Sequence, residues 1–476
     1  MKKYIICIII ILISCFFINT KANFKYNVNY NAVNRHVERI NTYSNSYDTV
    51  YNYILAEVSK YDVEVSKDNN SIIVKKFSKN TNAKTIGFIT KYVVSNYNSL
   101  DNNNSIAVSS FIGAIQTYNN HNSNNNLIFI FTNDSLDTLD SNIDYIKNNK
   151  KLYKTIDYLF SFNTSGNSGE LYLYNSSNDQ NIINFYKSYV TSKSGFSDFE
   201  LGHSNPNTNN FASFGIFNNT SSDLYGNISK FNDNSKNLFI NTINELAAGA
   251  HEYNFSNSSS KVSYFNYFDS FISISNNVIN GLAIISILMY ICYLYKNKSN
   301  LNFKKIGKYL ILNMSTLIIP IMTYIIAINE FAYFLDKFGI NYLKELIFGS
   351  VLIIILISTF ITNKISQNHY KINKKENIIL TITSNILLVV INLVLFSQVI
   401  SILILTLVLL TMILIFIDKI DFKILLLIFL IIILPIITHN LYFMYNILTI
   451  DEISIFTLVA ITYSLILTPI LSYRYK

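Results

Sequence analysis

The side chains in the polar part of this 476-residue chain that could hold a metal ion or move a proton include aspartates and histidines. Asp134, Asp137 and Asp140 cluster after an apolar run, and carboxylate oxygens are suitable ligands for Ca²⁺ or Mg²⁺. A solvated acidic loop after a strand is the favoured interpretation of this cluster. Surface or packing roles are favoured for the histidines, which are scattered near helix and loop patterns: His36, His121, His203 and His251.

Other catalytic arrangements are missing from the sequence. It contains no G-x-S-x-G nucleophile elbow, no H-E-x-x-H helix and no glycine-rich phosphate loop. The cysteines, Cys7, Cys15 and Cys292, all lie in apolar segments. The polar part of the chain therefore has neither a disulfide nor a thiolate nucleophile.

The elements that would position the polar side chains follow from hydrophobic spacing. Residues 31–58 have apolar side chains at every third or fourth position, which predicts one or two amphipathic helices. Ile106–Tyr118 and Asn142–Lys147 also have helical patterns. Short apolar runs predict strands at Ile72–Val74, Ile86–Thr90, Leu127–Phe131, Tyr158–Phe162 and Leu171–Tyr174. Strands that alternate with helices predict an α/β sheet layered by helices.

Several longer segments occur in a characteristic order. They include DNNNSIAVSSFIGAIQTY, NNLIFIFTNDSLDTLDSNIDYI, YLFSFNTSGNSGELYLYNSS, PNTNNFASFGI and INTINELAAGAHEY. Their order and spacing resemble the zinc aminopeptidases of metallopeptidase family 28, in the membrane-bound branch that carries a C-terminal helix bundle. The resemblance covers residues 31–253. It implies an α/β, zinc-aminopeptidase-like three-layer domain, with a mixed sheet between helices, over residues 23–265, followed by an all-α transmembrane bundle over 274–476.

The same resemblance implies a site for two zinc ions, with His and carboxylate ligands and a carboxylate base. Asp101 matches the bridging aspartate and is the one ligand kept, whereas Lys91 stands at the first histidine and cannot bind zinc. The other ligand positions are Leu136, Asn163 and Gly226, the base position is Ser135, and two supporting acidic positions are Val93 and Asn210. A single carboxylate cannot hold a zinc pair, so we expect no cofactor, and zinc only if this alignment is wrong.

Apolar segments begin and end the chain. Residues 1–22 contain an apolar run that is either a retained anchor or a signal peptide cleaved near Ala22, and Leu12-Ile13-Ser14-Cys15 resembles a lipobox. Beyond residue 274, runs of about 20 apolar residues match the thickness of a bilayer. They predict membrane helices at 274–295, 307–328, 346–362, 377–396, 399–417, 424–445 and 453–472.

Loop charges predict the orientation of these helices. Lysines are concentrated in alternate loops, at 296–308 and 364–375, and Arg474 and Lys476 follow the last span. Positive loops remain in the cytoplasm, so the C-terminus is predicted inside and the 23–265 domain outside, in the periplasm, the exterior or a lumen. The net charge of +8 follows from these lysines and does not indicate nucleic acid. The expected partners are the lipid bilayer and a peptide or protein on the extracytoplasmic side.

Three functions remain open. The leading prediction is a membrane-anchored pseudoenzyme, a catalytically inactive relative of the peptidases whose exterior domain binds or scaffolds. The first alternative is an active membrane zinc aminopeptidase whose ligands are misaligned here. The second is the attachment subunit of the glycosylphosphatidylinositol transamidase, which also combines a metal-free domain of this fold with C-terminal helices. The predicted spans offer no polar pathway, which disfavours a transporter or a channel.

Overall fold

A computed structural model describes residues 29–43, 46–68, 71–92, 104–133, 145, 148–164, 171–195, 197, 210–216, 233–256, 260–267, 270–315 and 374–395, together with 408, 411 and 415. Contacts divide the chain between Ser275 and Asn276 into two compact units. They are called the N-terminal unit and the helical unit below.

The N-terminal unit alternates helices with strands. Its elements are α1 (Tyr30–Thr42), α2 (Tyr47–Val58), β1 (Glu64–Asp68), β2 (Ser71–Lys76), β3 (Thr85–Lys91), α3 (Ser105–Tyr118), β4 (Asn126–Thr132), α4 (Lys150–Tyr153), β5 (Tyr158–Thr164), β6 (Leu171–Ser176), α5 (Gln180–Tyr189), β7 (Phe211–Ile216), α6 (Asp233–Glu252), β8 (Val262–Tyr267) and β9 (Ser270–Ser275).

The predicted amphipathic segment over 31–58 forms two helices. Asn29 begins α1 by accepting a hydrogen bond from the Ala32 amide, and Ser46 begins α2 by accepting one from the Thr49 amide. Such side chains satisfy amide groups that a helix leaves unpaired at its start. Because Ser46 caps a new helix, α2 begins at Tyr47 as a helix separate from α1.

Seven strands of the described residues form one mixed sheet, in the order β1-β2-β4-β3-β5-β7-β6. The four inner strands β4, β3, β5 and β7 are parallel, while β1, β2 and β6 pair antiparallel at the two sides. β8 and β9 form a separate antiparallel hairpin. The predicted mixed α/β sheet is confirmed.

The sheet is buried on both faces. One face packs against α1, α2, α3, α5 and α6 in a core whose centre is Phe88, which contacts the rings of Phe111, Phe129, Phe160 and Phe162. The residues between these alternate to the other face, where Ile73, Ile89, Ile128, Ile130, Leu159 and Phe211 pack with residues of α4 and Tyr145. Alternation of this kind is the expected geometry of strands covered on both sides.

The two edges of the sheet are closed in different ways. Edge strand β1 exposes Glu64 and Lys67, and Glu64 forms an ion pair with Lys75 at 3.6 Å. Beyond β6, the Leu173 amide donates to the Ser194 carbonyl at 2.8 Å, and Leu173 bridges Gly195 in parallel. A Cβ at Gly195 would lie 2.9 Å from the Leu173 carbonyl oxygen, so this close approach requires glycine.

All five predicted strands and the helix predicted over Ile106–Tyr118 are confirmed. The helix predicted at Asn142–Lys147 lies outside the described residues, except for Tyr145. Four strands were not predicted, namely β1, whose sequence EVSKD is mostly polar, β7 and the pair β8–β9. Serine, alanine and glycine interrupt the apolar run of β7, and the hairpin adjoins the apolar run assigned to the first membrane span.

The helical unit contains α7 (Asn276–Asn297), a 3₁₀ turn (Lys298–Asn300), α8 (Phe303–Ser315) and α9 (Lys374–Leu395). Glu376 is buried and accepts from Lys305 Nζ at 3.3 Å, which links α9 to α8. Tyr290 of α7 hydrogen-bonds to Thr383 of α9. Buried polar links of this kind hold apolar helices together.

One segment among the described residues, Asn276–Asn300, is long and apolar enough to cross a membrane. The first predicted span started too early, since Ile274 and Ser275 belong to β9. Parts of the spans 307–328 and 377–396 coincide with α8 and α9. The spans 346–362, 424–445 and 453–472, and all of 399–417 except three residues, lie outside the described residues, and the bundle of seven stays a prediction.

Gly249 allows α6 to pack closely against α5. A Cβ at this position would lie 2.5 Å from Tyr189 Cγ and 2.9 Å from Phe185 Cε2. Gly249→Ala should therefore lower the free energy of unfolding by about 1–3 kcal/mol, in spite of the better helix propensity of alanine. The free energy of unfolding is measured by pulse proteolysis in urea, with the full chain in detergent.

Gly281→Ala in α7 is the matched control, because no atom lies within 4 Å of its added Cβ. It should leave the urea midpoint of the N-terminal unit unchanged. If Gly249→Ala shared the wild-type midpoint, the close packing of α5 on α6 would be wrong.

Candidate functional site at the carboxyl edge of the sheet

The strand order indicates which edge of this sheet is the expected place for a ligand. From β3 the chain passes through α3 to β4 on one side, whereas from β5 it proceeds toward β7 on the other. In open α/β sheets, ligands bind outside the carboxyl ends of the strands where the connections diverge in this way. The candidate site therefore lies at the ends of β3 and β5.

Lys91 is the last residue of β3 and lies at this edge. Its side chain is buried, with 8% of the residue exposed. Lys91 stands directly beside Thr132 in the register of β3 and β4, and the next amide, that of Tyr92, donates to the Thr132 carbonyl at 2.8 Å. Lysine is rarely buried so completely, which makes the position unusual.

A group of small hydroxyl side chains shares the sheet face of Lys91. Thr132, Ser161 and Ser213 follow the alternation that points Ile130, Leu159 and Phe211 to the α4 face. All three are almost fully buried, and Thr132 Oγ1 and Ser213 Oγ have no hydrogen-bond partner among the described residues. A buried polar atom without a partner is costly and calls for an explanation. We call Lys91, Thr132, Ser161 and Ser213 the polar row.

The structure brings two of the sequence-predicted positions to neighbouring strands. Thr90 pairs with Phe162, so Lys91 and the backbone of Asn163 follow side by side at the carboxyl edge. Asn163 also pairs with Gly215 of β7. The remaining predicted positions, Asp101, Ser135, Leu136 and Gly226, lie outside the described residues, as do Val93, His203 and the Asp134–Asp140 cluster.

Asn210, a supporting position in the family alignment, lies elsewhere. It directly precedes β7, its carbonyl accepts from the Leu159 amide at 2.9 Å, and its Nδ2 donates to the Asp157 carbonyl at 3.3 Å. These contacts are at the amino ends of β5 and β7. Asn210 therefore helps to start the strands and is separated from Lys91 by their length.

His36 of α1 is buried and has the surroundings of a packing residue. His36 Nδ1 lies 2.7 Å from the Tyr53 hydroxyl, and burial lowers the pKa of this histidine. The favoured packing interpretation of the histidines agrees with this geometry.

His251 lies in a small crevice at the opposite end of the sheet, near the start of β4. Its ring centroid is 5.1 Å from that of Tyr118, and neither ring nitrogen has a hydrogen-bond partner in the described part of the chain. Lys76 Nζ donates to the carbonyl oxygens of Tyr118 and His121 beside it. Burial, followed by the charges of Lys76 and His121, lowers the pKa of His251 to about 3.

The described residues of the carboxyl edge do not fit a zinc pair. Zinc takes imidazole, thiolate or carboxylate ligands, whereas the polar row presents an ammonium group and hydroxyls. Within the described ranges, no group of three or more His, Cys, Asp or Glu side chains could hold a metal ion.

Sequence reasoning missed three members of the polar row. Thr132, Ser161 and Ser213 each interrupt a run of aromatic and aliphatic residues, as in Phe160-Ser161-Phe162. Polar residues at alternate positions of otherwise apolar strands were the available signal. Only the register of β3, β4, β5 and β7 shows that these residues share one face.

No protein-family model matches the chain, and no curated protein is significantly similar to it. Among solved structures, a zinc-dependent exopeptidase from Bacteroides vulgatus is 9% identical, covering 48% of this chain and 98% of that one at a TM-score of 0.34. LapA of Legionella pneumophila is 11% identical, covering 50% and 79% at 0.36. A glutaminyl cyclase of Bacteroides thetaiotaomicron is 8% identical, covering 49% and 100% at 0.34. Identities and TM-scores this low do not indicate the activity of this chain.

Proposed function

We propose that this chain is a membrane-anchored, catalytically inactive peptidase-like protein, whose extracytoplasmic domain serves as a binding or scaffolding module. The observation that carries the proposal is Lys91, a buried lysine at the end of β3. In the family alignment, that strand end requires a histidine that binds zinc.

The charge of Lys91 opposes a metal ion at this place. Two like unit charges about 4 Å apart repel each other by about 4 kcal/mol near a protein surface. The repulsion doubles when one of them is a divalent ion. A penalty of this size weakens binding by several orders of magnitude. In the same alignment Ser135 and Leu136 replace the base and a further ligand. In this alignment the chain therefore lacks both the metal ligands and the general base of a zinc peptidase.

Membrane anchoring rests on the apolar runs beyond residue 274 and on the apolar segment Asn276–Asn300. Lysine-rich alternate loops support a multi-pass arrangement with the C-terminus in the cytoplasm and the N-terminal unit outside. A domain held in this way would present its carboxyl edge to peptides or proteins of the extracytoplasmic space.

Metal content and peptide hydrolysis test the proposal directly. We expect the full chain, purified in detergent, to hold no stoichiometric zinc by elemental analysis after incubation with zinc. We also expect it to release no amino acid from a panel of aminoacyl amides. Lys91→His should not restore zinc binding, because Leu136 and Asn163 remain. A zinc aminopeptidase handled in parallel is the positive control.

Two equivalents of zinc with turnover would contradict the proposal and favour the active aminopeptidase. Co-purification with a cysteine-protease subunit would favour the transamidase attachment subunit. Both alternatives stay predictions.

A further inference from the structure

Exposed lysines from three helices lie together at one end of the helical unit. The 3₁₀ turn joins the end of α7 to the start of α8. Glu376 of α9 accepts from the Asn302 amide and pairs with Lys305 Nζ, both at 3.3 Å, so α8 and α9 begin side by side. The exposed lysines here, called the lysine cluster below, are Lys296, Lys298, Lys304, Lys308 and Lys375.

The charge of the lysine cluster is not balanced within these segments. Glu376 is the one acidic residue of segments 296–308 and 374–376, and it is buried against Lys305. Lys304 and Lys375 lie in the first turns of α8 and α9, where the positive end of the helix dipole disfavours a cation. Helix stability therefore does not account for the lysines, whereas an anion beside them would be attracted by the ammonium groups and by both helix ends.

The side chains next to the lysine cluster suit a lipid bilayer. Ile284, Leu288 and Ile291 of α7 are each more than half exposed. Tyr295 and Phe303 are 83% and 54% exposed, and each directly precedes a lysine of the cluster. Aromatic side chains beside lysines are typical of the boundary between hydrocarbon and headgroups. The lysine cluster therefore lies at the level where the headgroups of lipids around α7 would be.

We propose that the lysine cluster binds the headgroups of anionic lipids in the membrane that holds α7. This inference rests on the membrane anchoring of the proposed function. It goes beyond orientation, because positive loops alone decide only which side of the membrane a loop occupies. Phosphatidylcholine also has a phosphate, but its own quaternary ammonium group balances that charge, so the cluster should prefer a lipid with net negative charge.

A single tryptophan placed beside the lysine cluster can report which lipid is bound there. The chain has no tryptophan, so Tyr295→Trp introduces the only indole of the full chain. The variant is reconstituted in phosphatidylcholine vesicles, and its fluorescence is quenched with acyl-brominated phosphatidylglycerol or acyl-brominated phosphatidylcholine. We expect phosphatidylglycerol to associate about 5- to 25-fold more strongly, the worth of one or two lysines at an anionic surface. Raising the salt concentration from about 0.05 M to about 0.5 M should reduce this preference.

A second reporter controls for the position on α7. Val278→Trp places the indole in the first turn of α7, which contains no lysine, and Val278 is 52% exposed. At 1.5 Å per residue, this position is about 25 Å from residue 295. The two lipids should quench the fluorescence of this variant equally.

Charge variants assign the preference to the lysine cluster. Lys304→Gln together with Lys308→Gln should lower the preference reported at position 295 about fivefold or more. Both side chains are exposed, so the fold should be unaffected. Lys151→Gln together with Lys154→Gln is the matched control, because it makes the same change in net charge at exposed positions of the N-terminal unit. It should leave the preference unchanged.

Equal quenching by the two lipids at position 295, the same preference at positions 278 and 295, or a preference unaffected by salt or by the double variant in α8 would overturn the inference. Extraction of the vesicles with alkaline carbonate separates the two ideas. Release of the chain would contradict the membrane anchoring in the proposed function, and this inference with it. A retained chain without lipid preference would contradict this inference alone.

Discussion

Replacing Phe88 with alanine will lower the free energy of unfolding of the N-terminal unit by about 3–5 kcal/mol. Phe88 is fully buried in β3, and its ring lies 5.1 Å from that of Phe129 and 5.5 Å from that of Phe160. The truncation removes these contacts and leaves a cavity between sheet and helices. Pulse proteolysis in urea measures the loss without an optical probe, which suits a chain that has no tryptophan.

Phe77→Ala is the matched control, because 60% of Phe77 is exposed. A change on the surface should shift the free energy of unfolding by no more than about 0.5 kcal/mol. Phe88→Leu should fall between the two variants, since it keeps most of the buried volume. Equal losses for Phe77→Ala and Phe88→Ala would show that Phe88 is not at the centre of the core.

Acid should destabilise the N-terminal unit through His251. The pKa of this histidine is about 3 in the folded chain and about 6.5 when unfolded, so the unfolded chain binds the extra proton between these values. Stability is then fully present above pH 6.5 and is lost as the pH falls toward 3. At pH 4 the loss relative to pH 7 is on the order of 3 kcal/mol.

The comparison of wild type with His251→Leu isolates this contribution, because all other titrating groups are shared. Urea midpoints at pH 7, 5.5 and 4 should diverge progressively, with the variant retaining more of its stability in acid. His121→Gln should reduce the acid sensitivity slightly, because the charge of the exposed His121 adds to the lowering of the pKa of His251. Parallel pH curves for wild type and His251→Leu would rule out a neutral, buried His251.

Local sequence patterns were sufficient for most of the helices and strands around the core. The apolar runs around Phe88 and Phe129 predicted central strands, and the three- to four-residue spacing of Val33, Val37 and Ile40 predicted α1. These helix and strand predictions needed only neighbours in the sequence. Lys91 was identified through the family resemblance, which places a histidine ligand at the end of that strand.

Features that depend on strand pairing were out of reach. Thr132 and Ser213 are far apart in the chain, and only the register of the parallel strands places them on the face of Lys91. His251 illustrates the same limit, because its burial depends on Lys76, Tyr118 and α6 meeting at one corner. The hairpin β8–β9 was missed because its alternating pattern adjoins a stronger apolar signal.

The closed edges of the sheet restrict how a partner can be recognised. An extended peptide often binds by joining a sheet as an extra strand, which reads backbone groups and tolerates many sequences. Here Glu64 and Lys67 make β1 a poor template, and the segment at Gly195 already pairs with Leu173 of β6. Copies of this chain are therefore protected from pairing with each other through these edges. Recognition of a peptide by strand addition along these edges is therefore disfavoured.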